Sequence, residues 1–191
     1  MIRLFTALEI EDEAAERLIR LQRGIDGARW IERDDLHLTL RFFGDMPENV
    51  ADDLDAELAL IPFTPLTIEL EGVGVFGGAK PTALYVGVKP SDSLSLLQQR
   101  HEAAARRVGL SPDKRNFMPH VTIARLRHVE AAEAYGFVMA HNLFAAPPFS
   151  PGRVVLLSSR NSLGGGPYRC ERTYPDDDLY SDEDWSPDHP E

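Results

Sequence analysis

Two tetrapeptides of the same form constrain the fold of this chain more than any other feature of its sequence: His37-Leu38-Thr39-Leu40 and His120-Val121-Thr122-Ile123. Each contains, in order, a histidine, an aliphatic residue, a threonine and an aliphatic residue, a pattern that predicts a half-buried strand. Because side chains alternate across a strand, the histidine and the threonine project from one face while the aliphatic residues enter the core. Each strand is therefore predicted to present an imidazole beside a hydroxyl.

Two other interpretations of the repeat are open. Ordinary strands could carry these polar residues by chance, although a chain of this composition would contain only about 0.2 His-x-Thr pairs at random. A metal site would need a third ligand, and neither motif has a His-x-x-His, Glu-x-x-His or cysteine companion nearby. We therefore expect a shared chemical role for the two motifs, with no metal and no cofactor.

The order of the predicted elements indicates an α+β fold whose second half roughly repeats the first. Alternating or apolar runs predict strands, and apolar residues at helical spacing predict helices. The predicted strands are residues 2–9, 36–43, 66–75, 83–88, 118–125, 153–159 and 168–174. The predicted helices are residues 11–24, 47–60, 93–108 and 130–141. The last two strands are expected to form a hairpin around Asn161 and the glycines at 164–166.

Two histidines and two hydroxyls that converge on one cleft suit phosphoryl chemistry without a metal. One imidazole can take a proton from an attacking water, while the other gives a proton to the departing oxygen. Thr39 and Thr122 could donate hydrogen bonds to the non-bridging oxygens as charge builds on the phosphorus. His37 and His120 are therefore the candidate catalytic residues, and the two threonines are the candidate phosphate-binding residues.

With these motifs the sequence resembles the two-histidine (2H) phosphoesterases, and among them the LigT-like RNA 2′,3′-cyclic phosphodiesterases. The resemblance covers most of residues 2–174. Besides the two tetrapeptides, it is carried by Arg3-Leu4-Phe5, Trp30, Arg41-Phe42-Phe43-Gly44, Gly72-Val73-Gly74-Val75-Phe76, Phe117-Met118-Pro119, Ala124-Arg125 and Gly166-Pro167-Tyr168.

The resemblance implies a bilobal α+β fold, with two pseudo-symmetric lobes and antiparallel-rich sheets around a central cleft. It implies metal-independent hydrolysis of a 2′,3′-cyclic phosphate to a 2′-phosphate, with RNA ends or 2′,3′-cyclic nucleotides as substrates. His120 would activate water and His37 would protonate O3′. Alternatives are 2′–5′ RNA ligation, hydrolysis of 2′–5′ oligoadenylate or of ADP-ribose cyclic phosphate, or a non-catalytic RNA-binding module.

Phe42 and Arg125 each lie five residues after a motif histidine, and the resemblance implies that they bind the substrate, sandwiching a base. Strict alternation opposes this role, because an odd offset places both side chains on the face away from the histidines. A bulge at each strand end would be needed to turn them into the cleft. Core packing of Phe42 and a surface salt bridge of Arg125 are the alternatives.

A formal charge of −11 would disfavour a nucleic-acid partner if the acidic residues were spread over the whole chain, but most of the excess lies at its end. Eight carboxylates and no Lys or Arg follow Tyr174, which leaves residues 1–174 at −3. We therefore predict one bilobal catalytic domain over 1–174 and a disordered acidic tail over 175–191. Residues 100–127 are locally basic and could dock a phosphodiester chain or form a solvated face. We expect a cytoplasmic monomer without membrane contact.

Overall fold

In the part of the chain that the structure describes, four helices pack against one sheet. The structure is a computed structural model that describes residues 1–159 and 166–176. The strands are β1 (Ile2–Glu9), β2 (Ala28–Trp30), β3 (His37–Met46), β4 (Leu70–Phe76), β5 (Ala83–Val88), β6 (His120–Leu126), β7 (Val154–Ser158) and β8 (Arg169–Tyr174). The helices are α1 (Asp12–Leu21), α2 (Glu48–Ala59), α3 (Asp92–Arg107) and α4 (Ala131–His141), with a 3-10 turn at Arg33–Asp35.

The sheet has eight strands in the order β4-β5-β6-β3-β1-β7-β8, and β2 pairs with β6. Each of these strand pairs is antiparallel. The two histidine strands, β3 and β6, are neighbours at the centre, where one residue pair, Leu38 with Val121, joins them. The two halves of the chain therefore meet at the two motifs.

One face of the sheet is covered and the other is left open around the motifs. Leu38, Leu40, Val121 and Ile123 are at most 2% exposed and belong to one apolar cluster with the inner residues of the helices. Among the described residues, the opposite face has a small separate cluster, built on Phe5, Ala7 and Val155. The α1, α2 and α3 helices thus stabilise the sheet from one side, and the histidine side remains accessible.

Several predicted boundaries differ from the structure for local reasons. The predicted strand over 66–75 begins only at Leu70, because Ile68 pairs instead with Phe149 in an isolated bridge. The β2 strand and the 3-10 turn have three residues each, too few to show a hydrophobic period, and neither was predicted. The hairpin loop with Asn161 and the tail beyond 176 lie outside the described residues. None of the described helices is long and apolar enough to cross a membrane.

His101 is a buried histidine that makes the stability of the folded state depend on pH. This α3 residue is 1% exposed, and neither ring nitrogen has a hydrogen-bond partner within the described residues. Burial lowers the pKa of His101 to about 4. Because the unfolded chain binds this proton near pH 6.5, the stability that His101 contributes is complete above that pH and is lost as the pH falls towards 4.

Because of His101, we expect the free energy of unfolding to fall by about 2 kcal/mol when the pH is lowered from 7.5 to 5. Urea unfolding of wild type and of His101→Leu at both pH values measures the difference, which should be smaller in the variant by that amount. His141→Gln is the matched control, because His141 lies on the partly exposed end of α4. An equal pH dependence of stability in wild type and His101→Leu would contradict the expectation.

Candidate active site

The four motif side chains lie on the open face of the sheet. Leu38 and Val121 face each other across β3 and β6, and both are 0% exposed in the core. Their neighbours in sequence therefore point to the opposite face. Antiparallel pairing about this point sets one histidine across from the other motif's threonine on each side. The facing pairs are His37 with Thr122, and Thr39 with His120.

Each imidazole is fixed by the same local hydrogen bond. The Nδ1 atom of His37 lies 2.7 Å from the carbonyl oxygen of Asp35, and Nδ1 of His120 lies 2.7 Å from that of Met118. Because a carbonyl oxygen only accepts, the partner assigns the Nδ1–H tautomer to both rings. Both Nε2 atoms are therefore left to exchange protons with a ligand.

Two aromatic rings wall each histidine. Phe5 and Tyr168 have ring centroids 5.0 and 5.1 Å from that of His37. Phe76 and Tyr85 lie 4.9 and 5.4 Å from His120 in edge-on arrangements. The sequence named Phe5 and Phe76 only as carriers of the family resemblance, without a role in the site, and it did not single out Tyr85. These walls reduce the contact of both imidazoles with water.

Gly74 is the sequence signal that could have indicated the aromatic ring of Tyr85 beside His120. This β4 residue faces Tyr85 across the strand pair. A β-carbon at Gly74 would lie 2.3 Å from the Tyr85 ring, so only glycine leaves room for the ring to lie over the strand. A glycine inside a strand commonly marks such a close approach.

Burial holds the pKa of both His37 and His120 below the usual range of histidine, and the positive charge of Arg125 contributes to both shifts. A lowered pKa leaves the imidazoles neutral near pH 7. A neutral Nε2 can accept a proton at once. A bound phosphate would raise these pKa values again, because its negative charge stabilises an imidazolium.

A bulge follows each motif and changes which side chains reach the open face. In β3 the partners of Thr6 and Ala7 are Arg41 and Thr39, so Leu40 is the extra residue. In β6 the partners of Leu84 and Tyr85 are Ala124 and Thr122, so Ile123 is extra. Each bulge shifts the alternation by one residue. The pairing beyond the β3 bulge therefore puts Phe42 on the histidine face, and the pairing beyond the β6 bulge does the same for Arg125.

Phe42 and Arg125 differ from ordinary core and surface residues. Phe42 is 39% exposed and stacks on Phe5 with ring centroids 6.1 Å apart. The Nε atom of Arg125 is buried and has no hydrogen-bond partner within the described residues. An unpaired buried guanidinium donor is costly unless a ligand satisfies it. The register puts Phe42 beyond Thr39 and Arg125 beyond Thr122, at opposite ends of the histidine pair.

Asp35 connects the first motif to the end of the described chain. Its carbonyl oxygen accepts from His37, and its carboxylate accepts the backbone N–H of Tyr168 at 2.9 Å. A β-carbon at Gly166 would lie 1.8 Å from that carboxylate, and Gly166 has a φ of +83°. Gly166 thus permits the close approach that brings Tyr168 to the histidine. In the described ranges, no group of three or more His, Cys, Asp or Glu side chains could hold a metal ion.

This fold and this pair of histidine strands define a family. A model of the 2′-5′ RNA ligase superfamily matches residues 10–162. The chain belongs to this superfamily, which agrees with the resemblance to the 2H phosphoesterases seen in the sequence.

Several relatives share the name RNA 2′,3′-cyclic phosphodiesterase. The relative from Archaeoglobus fulgidus is 29% identical over 130 residues, which are 66% of this chain and 73% of the relative. That from Aeropyrum pernix is 36% identical over 117 residues, 58% of this chain and 66% of the relative. That from Bacillus subtilis is 31% identical over 138 residues, 71% of this chain and 70% of the relative.

Solved structures share the architecture. LigT of E. coli, in a complex with 3′-AMP, has a TM-score of 0.72 and 22% identity, covering 90% of this chain and 96% of that chain. The protein TT0787 of Thermus thermophilus has a TM-score of 0.73 and 21% identity with the same two coverages. At these identities the likeness concerns the fold alone. The α+β, LigT-like fold predicted from the sequence is confirmed.

Proposed function

We propose that the protein hydrolyses RNA 2′,3′-cyclic phosphates to 2′-phosphomonoesters by acid/base catalysis with His37 and His120. The observation that carries this proposal is the presence of two imidazoles, each with its Nε2 available, on one open face beside two threonine hydroxyls. The relatives named RNA 2′,3′-cyclic phosphodiesterase support the choice of substrate. We assign this activity to residues 1–174 as one catalytic domain.

In the proposed step, Nε2 of His120 takes a proton from water as the water oxygen bonds to phosphorus. The bond from phosphorus to O3′ breaks, and His37, protonated once the substrate phosphate is bound, gives its proton to O3′. The assignment of the base follows the family resemblance. It is also supported by solvent access, because the His120 hydrogen bond to Met118 is exposed whereas the His37 bond to Asp35 is partly buried. One proton is taken up and one is released in each turnover.

We propose that Thr39 and Thr122 bind the non-bridging oxygens of the phosphate. Each hydroxyl belongs to a strand position that faces a histidine, so both could donate to charge that develops between the two imidazoles. Arg125 would neutralise the phosphate, because its buried Nε lacks a partner within the described residues and its charge already acts on both histidines. Phe42 would stack on a base at the other end of the cleft.

Product analysis tests the function. Purified protein in excess EDTA is expected to convert adenosine 2′,3′-cyclic phosphate to adenosine 2′-phosphate, with no 3′-phosphate, because His37 would protonate only O3′. The two products are separated by chromatography and distinguished by phosphorus NMR. Formation of the 3′-phosphate, or loss of activity that added divalent metal restores, would contradict the mechanism. No turnover together with retained RNA binding would favour a non-catalytic module.

A further inference from the structure

A groove extends from the cleft beyond Phe42. This cavity of about 540 Å³ lies between the strand segment 41–43 and the loop 110–115 that follows α3. Phe42 lines the groove and also stacks on Phe5 on the histidine face. The groove is therefore continuous with the cleft at its Phe42 end.

Lys114 carries the available positive charge of the groove, because Arg41 and Arg115 are paired with Glu102 and Asp113. Arg41, Lys114 and Arg115 line it, against one carboxylate, that of Asp113. Asp113 is itself engaged, 3.0 Å from Arg115 and 3.8 Å from Arg41. Within the described residues, the exposed Lys114 has no hydrogen bond or ion pair. Its ammonium group is available to an anionic ligand.

Other basic and concave regions of the described chain suit a polyanion less well. Arg106 and Arg107 on α3 are paired with Glu102 and Glu57, and neither of them lines the groove. A larger cavity of about 730 Å³ near the start of α1 is acidic. Its charged lining consists of two arginines and five carboxylates: Arg33, Arg153, Glu9, Glu11, Asp12, Glu13 and Asp34. Of these two cavities, the groove is the one whose charge complements phosphate.

Arg41 holds the two walls of the groove together. Its side chain is 6% exposed, and its guanidinium donates to the Glu102 carboxylate at 2.5 Å and to the Ser111 carbonyl oxygen at 2.8 Å. A further bond to the Phe42 carbonyl oxygen joins the same group to the bulged strand. The loop therefore has a fixed position beside the strand, which lowers the entropy cost of binding a ligand between them.

The cations of the groove also act at the catalytic face. Arg115 is among the positive charges that lower the pKa of His120, after burial and together with Arg125. Met118 and His120 follow the 110–115 loop directly in the chain, and the Met118 carbonyl oxygen fixes the His120 ring. A phosphate bound at Lys114 and Arg115 would thus be a close neighbour of the reacting phosphate.

We propose that this groove binds the nucleotide and the phosphodiester directly 5′ of the terminal cyclic phosphate, so that the protein prefers RNA ends to free cyclic mononucleotides. The inference rests on the proposed cyclic phosphodiesterase function. A 2′,3′-cyclic phosphate stands at a 3′ end, so a longer substrate leaves the cleft only in the 5′ direction. Lys114, beside the paired Arg115, neutralises the linking phosphate, while the Phe43 ring provides apolar surface for the base of the added nucleotide.

The test compares adenosine 2′,3′-cyclic phosphate with a triadenylate that ends in a 2′,3′-cyclic phosphate. In wild type the triadenylate should have the lower KM, and Lys114→Gln should raise that KM about 5- to 10-fold at low salt. The slope of log KM against log salt should fall by about 0.7 in the variant. Because the groove is assigned to the nucleotide 5′ of the cyclic phosphate, the mononucleotide leaves it empty, and its KM should change less than about twofold. Arg20→Gln, on the outer side of α1, is the charge-matched control.

An unchanged triadenylate KM in Lys114→Gln, or equal wild-type KM values for the two substrates, would overturn the groove assignment and leave the cyclic phosphodiesterase function standing. If wild type hydrolyses neither substrate, the proposed function is wrong. A binding measurement then tests separately whether the groove binds RNA. The probe is then a fluorescent triadenylate that ends in a 2′-phosphate, measured by anisotropy. A Kd raised about 5- to 10-fold in Lys114→Gln supports the groove, and an unchanged Kd refutes it.

Discussion

Replacement of either motif histidine by alanine should lower kcat for a 2′,3′-cyclic nucleotide by about 10²- to 10⁴-fold. Each imidazole is expected to move one proton in the same step, so loss of either one stops the exchange. His37→Ala and His120→Ala should keep the fold, because both side chains line the open face rather than the buried cluster. Steady-state kinetics and circular dichroism of the two variants measure the two effects. His141→Ala, on α4, is the matched control.

The two variants should differ on a substrate with an activated leaving group. A good leaving group needs little protonation, so the loss of the acid is partly compensated whereas the loss of the base is not. An aryl ester of a 3′-deoxynucleoside 2′-phosphate, in which the aryloxide takes the place of O3′ as leaving group, should therefore be cleaved faster by His37→Ala than by His120→Ala. Rescue of His120→Ala instead would reverse the two roles. Full activity of either variant on the cyclic nucleotide would refute the two-histidine mechanism.

Replacement of Arg41 by methionine should lower the free energy of unfolding by about 3 kcal/mol. The guanidinium is 6% exposed, and its removal leaves the part-buried Glu102 carboxylate and the carbonyl oxygens of Phe42 and Ser111 without this donor. Methionine keeps the aliphatic part of the side chain and lacks the guanidinium, so the lost hydrogen bonds outweigh the lost packing. Urea denaturation at pH 7 measures the change.

Arg106→Gln provides the comparison for Arg41→Met. Arg106 donates to the same Glu102 carboxylate at 3.0 Å but is 60% exposed. An exposed pair of this kind contributes about 0.5 kcal/mol or less, because water and salt screen it. Equal losses of stability in the two variants would show that burial of Arg41 has no special effect.

The sequence predicted the parts of the site that depend on the two-residue period of a strand. His37 with Thr39, and His120 with Thr122, share a face because their spacing requires it once the strands form. The buried aliphatic residues between them supplied that strand signal. The α+β class followed from the order of the elements. The acidic tail is predicted as a separate region, and most of it lies beyond the last described residue, Asp176.

Other parts of the site depend on long-range register, which a local pattern does not encode. Strict alternation places Phe42 and Arg125 on the core face, and only the extra residues Leu40 and Ile123 reverse this. Each bulge is a mismatch in the pairing with a partner strand, β1 or β5, so the period of its own strand does not reveal it. Two rings from distant parts of the chain flank His37. Phe5 arrives through the pairing of β1 with β3, and Tyr168 follows it by about 160 positions.

The bond between Asp35 and the Tyr168 amide has a consequence for biosynthesis. On the ribosome both histidines are made before Tyr168, and domains form as their residues become available. Until the stretch from Gly166 to Tyr174 has left the exit tunnel, the nascent chain lacks the Tyr168 ring beside His37. A product of premature termination would carry an intact pair of motifs but an imidazole more open to water. The competent centre thus forms last, when the final described strand is added to the edge of the sheet.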